Sequence, residues 1–226
     1  MGNRILAYMI LNMKSLLKDK IPFVWSILLP FVMYCMNRNQ INNEKDLTYW
    51  WVYMILCAYI YGVGLYALEL KEAGCLRTLF SIDNSSVVFF MGNLITQIIF
   101  SLISVGLFNL IVYLDKRFSF INMLLYSVLI ILLCVPVAFV GYGFTLVKTV
   151  HANTINTIFS ILLLGMFMLL GTDSQLNAYN PMCYIAEVAI APSKSGFALY
   201  GAISVIFIMI GCIGILKFSP NSNERR

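Results

Sequence analysis

Charged residues are scarce in this chain, yet Glu69, Lys71, Glu72 and Arg77 fall within nine positions. They stand in Glu69-Leu70-Lys71-Glu72-Ala73-Gly74-Cys75-Leu76-Arg77-Thr78-Leu79-Phe80-Ser81. Two glutamates so close suggest acid–base or metal chemistry, but that chemistry needs partners. A metal-dependent or glutamate-based membrane protease needs histidines on facing helices, and the sequence has a single histidine, His151. No G-x-S-x-G nucleophile is present, and no Cys/His cluster has the spacing of a zinc site. A phosphate-binding G-x-x-x-x-G-K-[ST] loop is also lacking; Gly211, Gly214 and Lys217 have the wrong spacing. The chain therefore cannot hydrolyse ATP itself. What remains is a short amphipathic element in which Leu76, Leu79 and Phe80 interleave with Arg77, suited to docking on a soluble partner. The alternative is a solvated loop, but the acids Glu69, Glu72 and Asp83 are more than topology alone requires.

The elements that must position this segment follow from composition. Of 226 residues 61% are hydrophobic and 11% charged, with a mean hydropathy of +0.86. A soluble domain is about 25% charged, so this chain can neither cover a water-facing surface nor remain disordered. An integral membrane protein is expected. A helix crossing an apolar layer about 30 Å thick needs roughly 20 residues. Runs free of Asp, Glu, Lys and Arg are Ile21–Asn37, Leu47–Leu68, Asn84–Leu114, Phe118–Val147, Thr149–Thr172 and Ser195–Leu216. They predict six spans. With both termini inside, the cytoplasmic segments hold 10 of the 15 basic residues: Arg4, Lys14, Lys18, Lys20, Lys71, Arg77, Lys148, Lys217, Arg225 and Arg226. The outer segments hold Arg38, Lys45, Lys116, Arg117 and Lys194. The positive-inside rule thus places both termini in the cytoplasm. The basic excess is a topology signal and implies no nucleic-acid partner.

Residues 1–20 predict no cleavable signal peptide. Leu6, Met9, Ile10, Met13 and Leu17 share one face of a helix, Arg4, Asn12, Lys14, Ser15, Lys18 and Asp19 the other arc, and Leu11 is an exception. That pattern fits a helix lying among lipid headgroups, or a plain lead-in to the first span. Tyr49-Trp50-Trp51-Val52-Tyr53 opens the second span and reads as an interfacial anchor rather than a substrate platform. Tyr59 and Tyr66, seven apart, are candidates to line a pathway, with packing as the plainer reading. Small pairs Ala58/Gly62, Gly92/Thr96 and Ala198/Ala202 would let helices approach closely. Between spans five and six, Asn180-Pro181 and Pro192 bracket a mostly apolar run carrying Glu187. Being too short to cross, it predicts a re-entrant or interfacial outer helix that gates a pathway or rests on the membrane. Cys35, Cys57, Cys134 and Cys212 lie in apolar runs and read as small hydrophobes. Cys183 falls outside, and a lone outer thiol argues against a disulfide framework.

The pattern Glu-x-x-Glu-x-Gly-x-Leu-Arg-x-Leu after the second of six spans resembles the coupling region of ABC transporter type 2 (ABC-2) permeases, of the small six-span exporter kind. Glu69, Lys71, Glu72, Gly74, Leu76, Arg77 and Leu79 carry it. Leu70 intervenes before Lys71, where the family pattern is tighter, and Cys75 stands where Thr is common. The resemblance extends to Lys14-Ser15-Leu16-Leu17-Lys18-Asp19-Lys20, to Pro30, and to the segment from Asn180-Pro181 to Ala191-Pro192. It implies one permease domain over residues 1–226 with a coupling region at 69–82, in a multi-pass bacterial plasma-membrane protein. A second permease copy or a paralogue would pack beside it, and two ATPase subunits would bring ATP and Mg. The element from Glu69 to Phe80 would enter a cleft of the ATPase, with Glu72 and Arg77 as charged contacts and Leu76 and Leu79 as apolar ones. Pro181 and Glu187 would lie near the outer gate.

The expected fold is thus an all-α integral membrane protein of six transmembrane helices surrounded by membrane lipids. The expected function is export of a hydrophobic or amphipathic substrate, with antimicrobial or toxin-like peptides (export or self-immunity) as one class. Drug, lipid or polysaccharide export is the alternative within that family. A non-ABC channel or ion-coupled carrier is the alternative outside it, but the spans hold no ionisable residue of the kind that marks ion pathways. The chain itself is expected to bind no cofactor.

Overall fold

The computed structural model describes residues 2–18, 20–82, 85–146, 151–170, 172, 174–191 and 193–218, without the side chains of 17, 18, 20–27 and 82. Asp19, Asp83, Asn84, Lys148, Pro192, Arg225 and Arg226, and the side chains of Leu17, Lys18 and Lys20, lie outside the described residues. Among those described the protein is helical throughout and has no strand. Its helices are α1 (Gly2–Lys18), α2 (Lys20–Asn37), α3 (Thr48–Tyr59), α4 (Tyr66–Glu72), α5 (Cys75–Ile82), α6 (Ser86–Lys116), α7 (Phe120–Leu133), α8 (Val135–Gly143), α9 (Ala152–Leu169), α10 (Pro181–Ile190) and α11 (Lys194–Leu216).

Five helical stretches are long and apolar enough to cross a membrane: Glu44–Glu72, Ser86–Lys116, Phe120–Leu146, Ala152–Leu169 and Lys194–Leu216. They match five of the six expected spans. The remaining one coincides with α2, which carries Pro30 and is not among the five. The second expected span is longer than its charge-free run. It continues as one stretch of 29 residues to Glu72, about 44 Å at 1.5 Å per residue. Between α3 and α4 it winds as a π-helix over Ile60–Leu65. The expected coupling region at 69–82 is accordingly not one element. Glu69, Leu70, Lys71 and Glu72 end the long stretch, and only Cys75–Ile82 forms a separate helix.

Numbered with α2 as the first, the fourth stretch (Phe120–Leu146) is broken at Cys134, because Pro136 has no amide to give the carbonyl four residues before it. Side chains serve carbonyls on either side of that gap. Tyr59 Oη donates to the Ile131 carbonyl at 3.0 Å, and Tyr200 Oη donates to that of Leu133. Tyr59 is fully buried there. Close helix contact is set by small residues. A Cβ on Gly64 would collide with the backbone of Gly141, and one on Gly211 with the backbone of Phe139. Gly62 lies against Gln97 and Gly92 against Tyr8, so two of the expected small pairs are packed. Ala198 and Ala202 are exposed.

In the aromatic run at 49–53, Trp51 and Tyr53 are packed inside the bundle, while Tyr49 and Trp50 are half-buried. Trp51 is fully buried and its Nε1 donates to Asn109 Oδ1 at 2.7 Å, while Trp50 and Tyr53 pack on Phe167. Asn109 in turn reaches Ser127 Oγ at 3.5 Å, so one polar chain ties α3, α6 and α7 together. Asn109→Leu leaves the indole N–H buried without a partner. It is expected to cost about 1–2 kcal/mol in reversible unfolding, with much of the loss recovered in the Trp51→Phe/Asn109→Leu double variant.

α1 packs along the start of α6. Tyr8 and Asn12 are buried, and the Asn12 amide donates to Asn93 Oδ1. Asn12, expected on the water-facing arc, therefore faces the bundle, whereas Leu6, Ile10 and Leu11 are exposed. This still suits a helix at a lipid boundary, with its polar contact turned inward. The two ends of the bundle differ. At one, Arg38 pairs with Asp115 at 2.8 Å, Tyr34 Oη donates to the same carboxylate at 2.7 Å, and Glu44 accepts the Ser119 amide at 3.0 Å. At the other lie α1, α5, Phe144–Leu146 and the last described residue, Phe218.

Candidate functional site

The second of these ends carries the charged segment. α4 stops because Gly74 takes the left-handed conformation at φ 74°, a position glycine fills without a Cβ penalty. The Ala73 amide donates to the Glu69 carbonyl at 2.9 Å and the Gly74 amide to that of Lys71 at 3.2 Å. α5 then leaves in a new direction with its apolar residues on one side, at i and i+4. Leu76 and Phe80 are buried and Leu79 half-buried, while Cys75, Arg77, Thr78 and Ser81 are exposed. Phe80 sits among aromatic rings, 5.9 Å from Phe89 and 5.6 Å from Phe218 between centroids. Tyr142 packs on Phe218 and Phe90. The Leu79 carbonyl accepts a long bond of 3.5 Å from Tyr8 Oη. One short helix is thus seated on α1, α6 and the chain beyond α11, with its polar side turned out.

Two charges expected to contact a partner are used internally. Lys71 is buried and its Nζ donates to the Thr145 carbonyl at 3.0 Å. It places a cation at the carbonyl end of the fourth stretch, where the helix dipole favours one. Glu72 Oε1 accepts the Ala152 amide at 2.8 Å. Ala152 opens α9, and the residue before it, His151, makes no side-chain cap. Glu72 therefore caps α9 from eighty positions away, its negative charge on the positive end of that helix. Lys71 and Glu72 together clasp the junction between the fourth and fifth stretches. Arg77 stays on the outer side of α5. Glu69 is exposed and borders a cleft beside the clasp.

That cleft has a volume of about 410 Å³ and lies between α1, the π segment, α6 and α9. Tyr66, Asn12, Asn93, Thr96, Gln97 and Glu69 are among its polar groups, with Ser15, Tyr61 and Asn156 further along the wall. Gln97 Nε2 donates to the Gly62 carbonyl at 3.4 Å inside the π segment, and Tyr66 Oη to Asn12 Oδ1 at 3.4 Å. Of the two tyrosines singled out in the sequence, Tyr66 lines the cleft and Tyr59 does not. Sequence reasoning did not pick Asn93 or Gln97; an amide inside an apolar run was the available signal.

At the far end of the bundle Pro181 opens α10, which packs on α3 and α7. Asn180 caps it, accepting the Met182 amide at 3.0 Å and donating to the Met166 carbonyl at 2.9 Å. Tyr184 Oη donates to the Gly196 carbonyl at 2.8 Å, and Glu187 is exposed. Burial and the neighbouring Glu187 push the Cys183 thiol above its ordinary value, away from reactive thiolate. Among the described residues no three His, Cys, Asp or Glu side chains come together as a metal site. In comparisons with family models, curated proteins and solved structures, nothing matches this chain.

Proposed function

We propose that this chain is the membrane-spanning subunit of an ATP-driven exporter of the ABC-2 kind, in a plasma membrane with both termini inside. The observation that carries the reading is the clasped turn. A helix continuous with a membrane-length stretch ends in Gly74, turns into α5, and is bonded through Lys71 and Glu72 to two further stretches. Such an element moves as a unit. A push on the exposed side of α5 reaches α8 through Thr145 and α9 through Ala152, with little lost in a flexible loop. Energy would come from two ATPase subunits supplying ATP and Mg, and a second permease copy or paralogue would complete the pathway. The substrate is hydrophobic or amphipathic, with peptides as a leading class, because the long apolar stretches carry amides and hydroxyls but few charges.

Arg77 would be the grip on the ATPase, since it is the charge on α5 that points outward. Arg77→Glu is expected to weaken co-purification with a partner ATPase by about tenfold or more, as for a lost charge-assisted contact. Its thermal stability stays near that of the parent. An undiminished complex with Arg77→Glu would remove the basis for this reading.

A further inference from the structure

The cleft beside the clasp has the features of a ligand site that the lever does not require. Its volume of about 410 Å³ lies in the range of small-molecule pockets, roughly 300–1,000 Å³. Leu16, Ala58, Leu65 and Phe100 give it apolar walls. Asn93 is almost wholly buried at its edge, and its Nδ2 has no hydrogen-bond partner. A buried donor of that kind is rare and calls for an acceptor oxygen. Among the described residues that line it, Glu69 is the one formal charge, with no lysine or arginine. Lys71 and Glu72 are engaged at Thr145 and Ala152, and among the described residues the Glu69 carboxylate has no hydrogen-bond or ion-pair partner.

We propose that this cleft binds an amphipathic primary amine that carries a carbonyl-type oxygen near its ammonium group. The ammonium pairs with the Glu69 carboxylate, the oxygen accepts from Asn93 Nδ2, and the tail lies along Leu16, Leu65 and Phe100. A phospholipid headgroup fits less well, because its phosphate would meet a carboxylate and no cation. A neutral ligand would leave the carboxylate uncompensated as the site dries. The π segment lies in the wall of the cleft through Gly62 and Leu65, and such single-turn distortions are frequent at functional sites. The assignment deepens the exporter reading by naming the class of its cargo, while the binding step needs no ATPase.

The test uses the purified full chain in phosphatidylcholine nanodiscs, without ATPase. The probe is the methyl ester of Nε-dansyl-lysine, which has a primary α-ammonium, an ester carbonyl next to it and an apolar ring; its Nα-acetyl derivative is the neutral control. Saturable binding above that of empty discs is expected, with the amine about tenfold tighter than the acetylated form. Glu69→Gln is expected to abolish that preference, Glu69→Asp to keep it, and Asn93→Leu to weaken both probes. Equal binding of amine and acetylated probe overturns the proposal, as does an amine preference that survives in Glu69→Gln. Failure here with Arg77→Glu still releasing the ATPase removes the cargo assignment alone. Amine binding with no ATPase complex removes the exporter reading and leaves the site.

Discussion

Gly64→Leu is expected to leave almost no monodisperse protein after detergent extraction. A Cβ at position 64 would meet the carbonyl carbon, oxygen and Cα of Gly141, all backbone atoms of the broken fourth stretch. Overpacking usually costs about 1–3 kcal/mol when side chains can shift. Here two main chains would have to separate, and with them the contact that positions α8 next to the π segment. The reverse substitution is a strict control. A Cβ on Gly141 meets Gly64 Cα at 3.6 Å and its amide nitrogen at 3.7 Å, which is ordinary contact. Gly141→Ala is therefore expected to stay within about 0.5 kcal/mol of the parent. Equal damage from both changes in size-exclusion profiles and unfolding curves would mean that α3, the π segment and α8 do not pack in this way.

The second large effect concerns Glu72. Removing its carboxylate leaves the Ala152 amide without its cap and takes the negative charge from the start of α9. Charge-assisted bonds contribute about 1.5–3 kcal/mol and the dipole term about 0.3–1 kcal/mol. A loss near 2 kcal/mol corresponds to roughly thirtyfold in whichever equilibrium the clasp controls. Glu72→Ala is thus expected to keep the ATPase bound, since Arg77 is untouched, yet to lower transport per ATP hydrolysed by more than about tenfold. Glu72→Gln, which still offers an acceptor oxygen, should lie between. Transport and hydrolysis assayed on the same reconstituted complex separate this outcome from simple loss of assembly. Loss of ATPase binding in Glu72→Ala would make position 72 a contact residue instead of a transmitting one.

The sequence made the long helices visible because a charge-free run reports directly on an apolar surrounding. Their ends were less visible. Lys71 and Glu72 look like the edge of a cytoplasmic loop by charge alone, but their partners are backbone groups of Thr145 and Ala152, and no residue type announces a bond to a main-chain atom. Trp51 shows the same limit. An indole at the start of a span looks identical whether it faces headgroups or Asn109, and only the packing of α6 against α3 decides. The amphipathic wheel of α1 was sound for Leu6 and Ile10, yet Asn12 turned inward because Asn93 offers it a partner. In the coupling segment, the alternation of Leu76 and Phe80 with Arg77 and Thr78 was legible, since an i, i+4 stripe depends on local geometry. The cleft was not, because Asn12, Tyr66, Asn93 and Gln97 come together only through tertiary packing.

On the proposed reading, α5 is an intracellular lever gripped by an ATPase. The most direct test is a photo-crosslinking amino acid placed at position 77 in intact cells, with position 38 at the opposite end as control. A covalent adduct to a nucleotide-binding subunit is expected from position 77, none from position 38, and no labelling of an Arg77→Cys thiol by a membrane-impermeant reagent added outside. Labelling of position 77 from outside, or an ATPase adduct from position 38 alone, would contradict it.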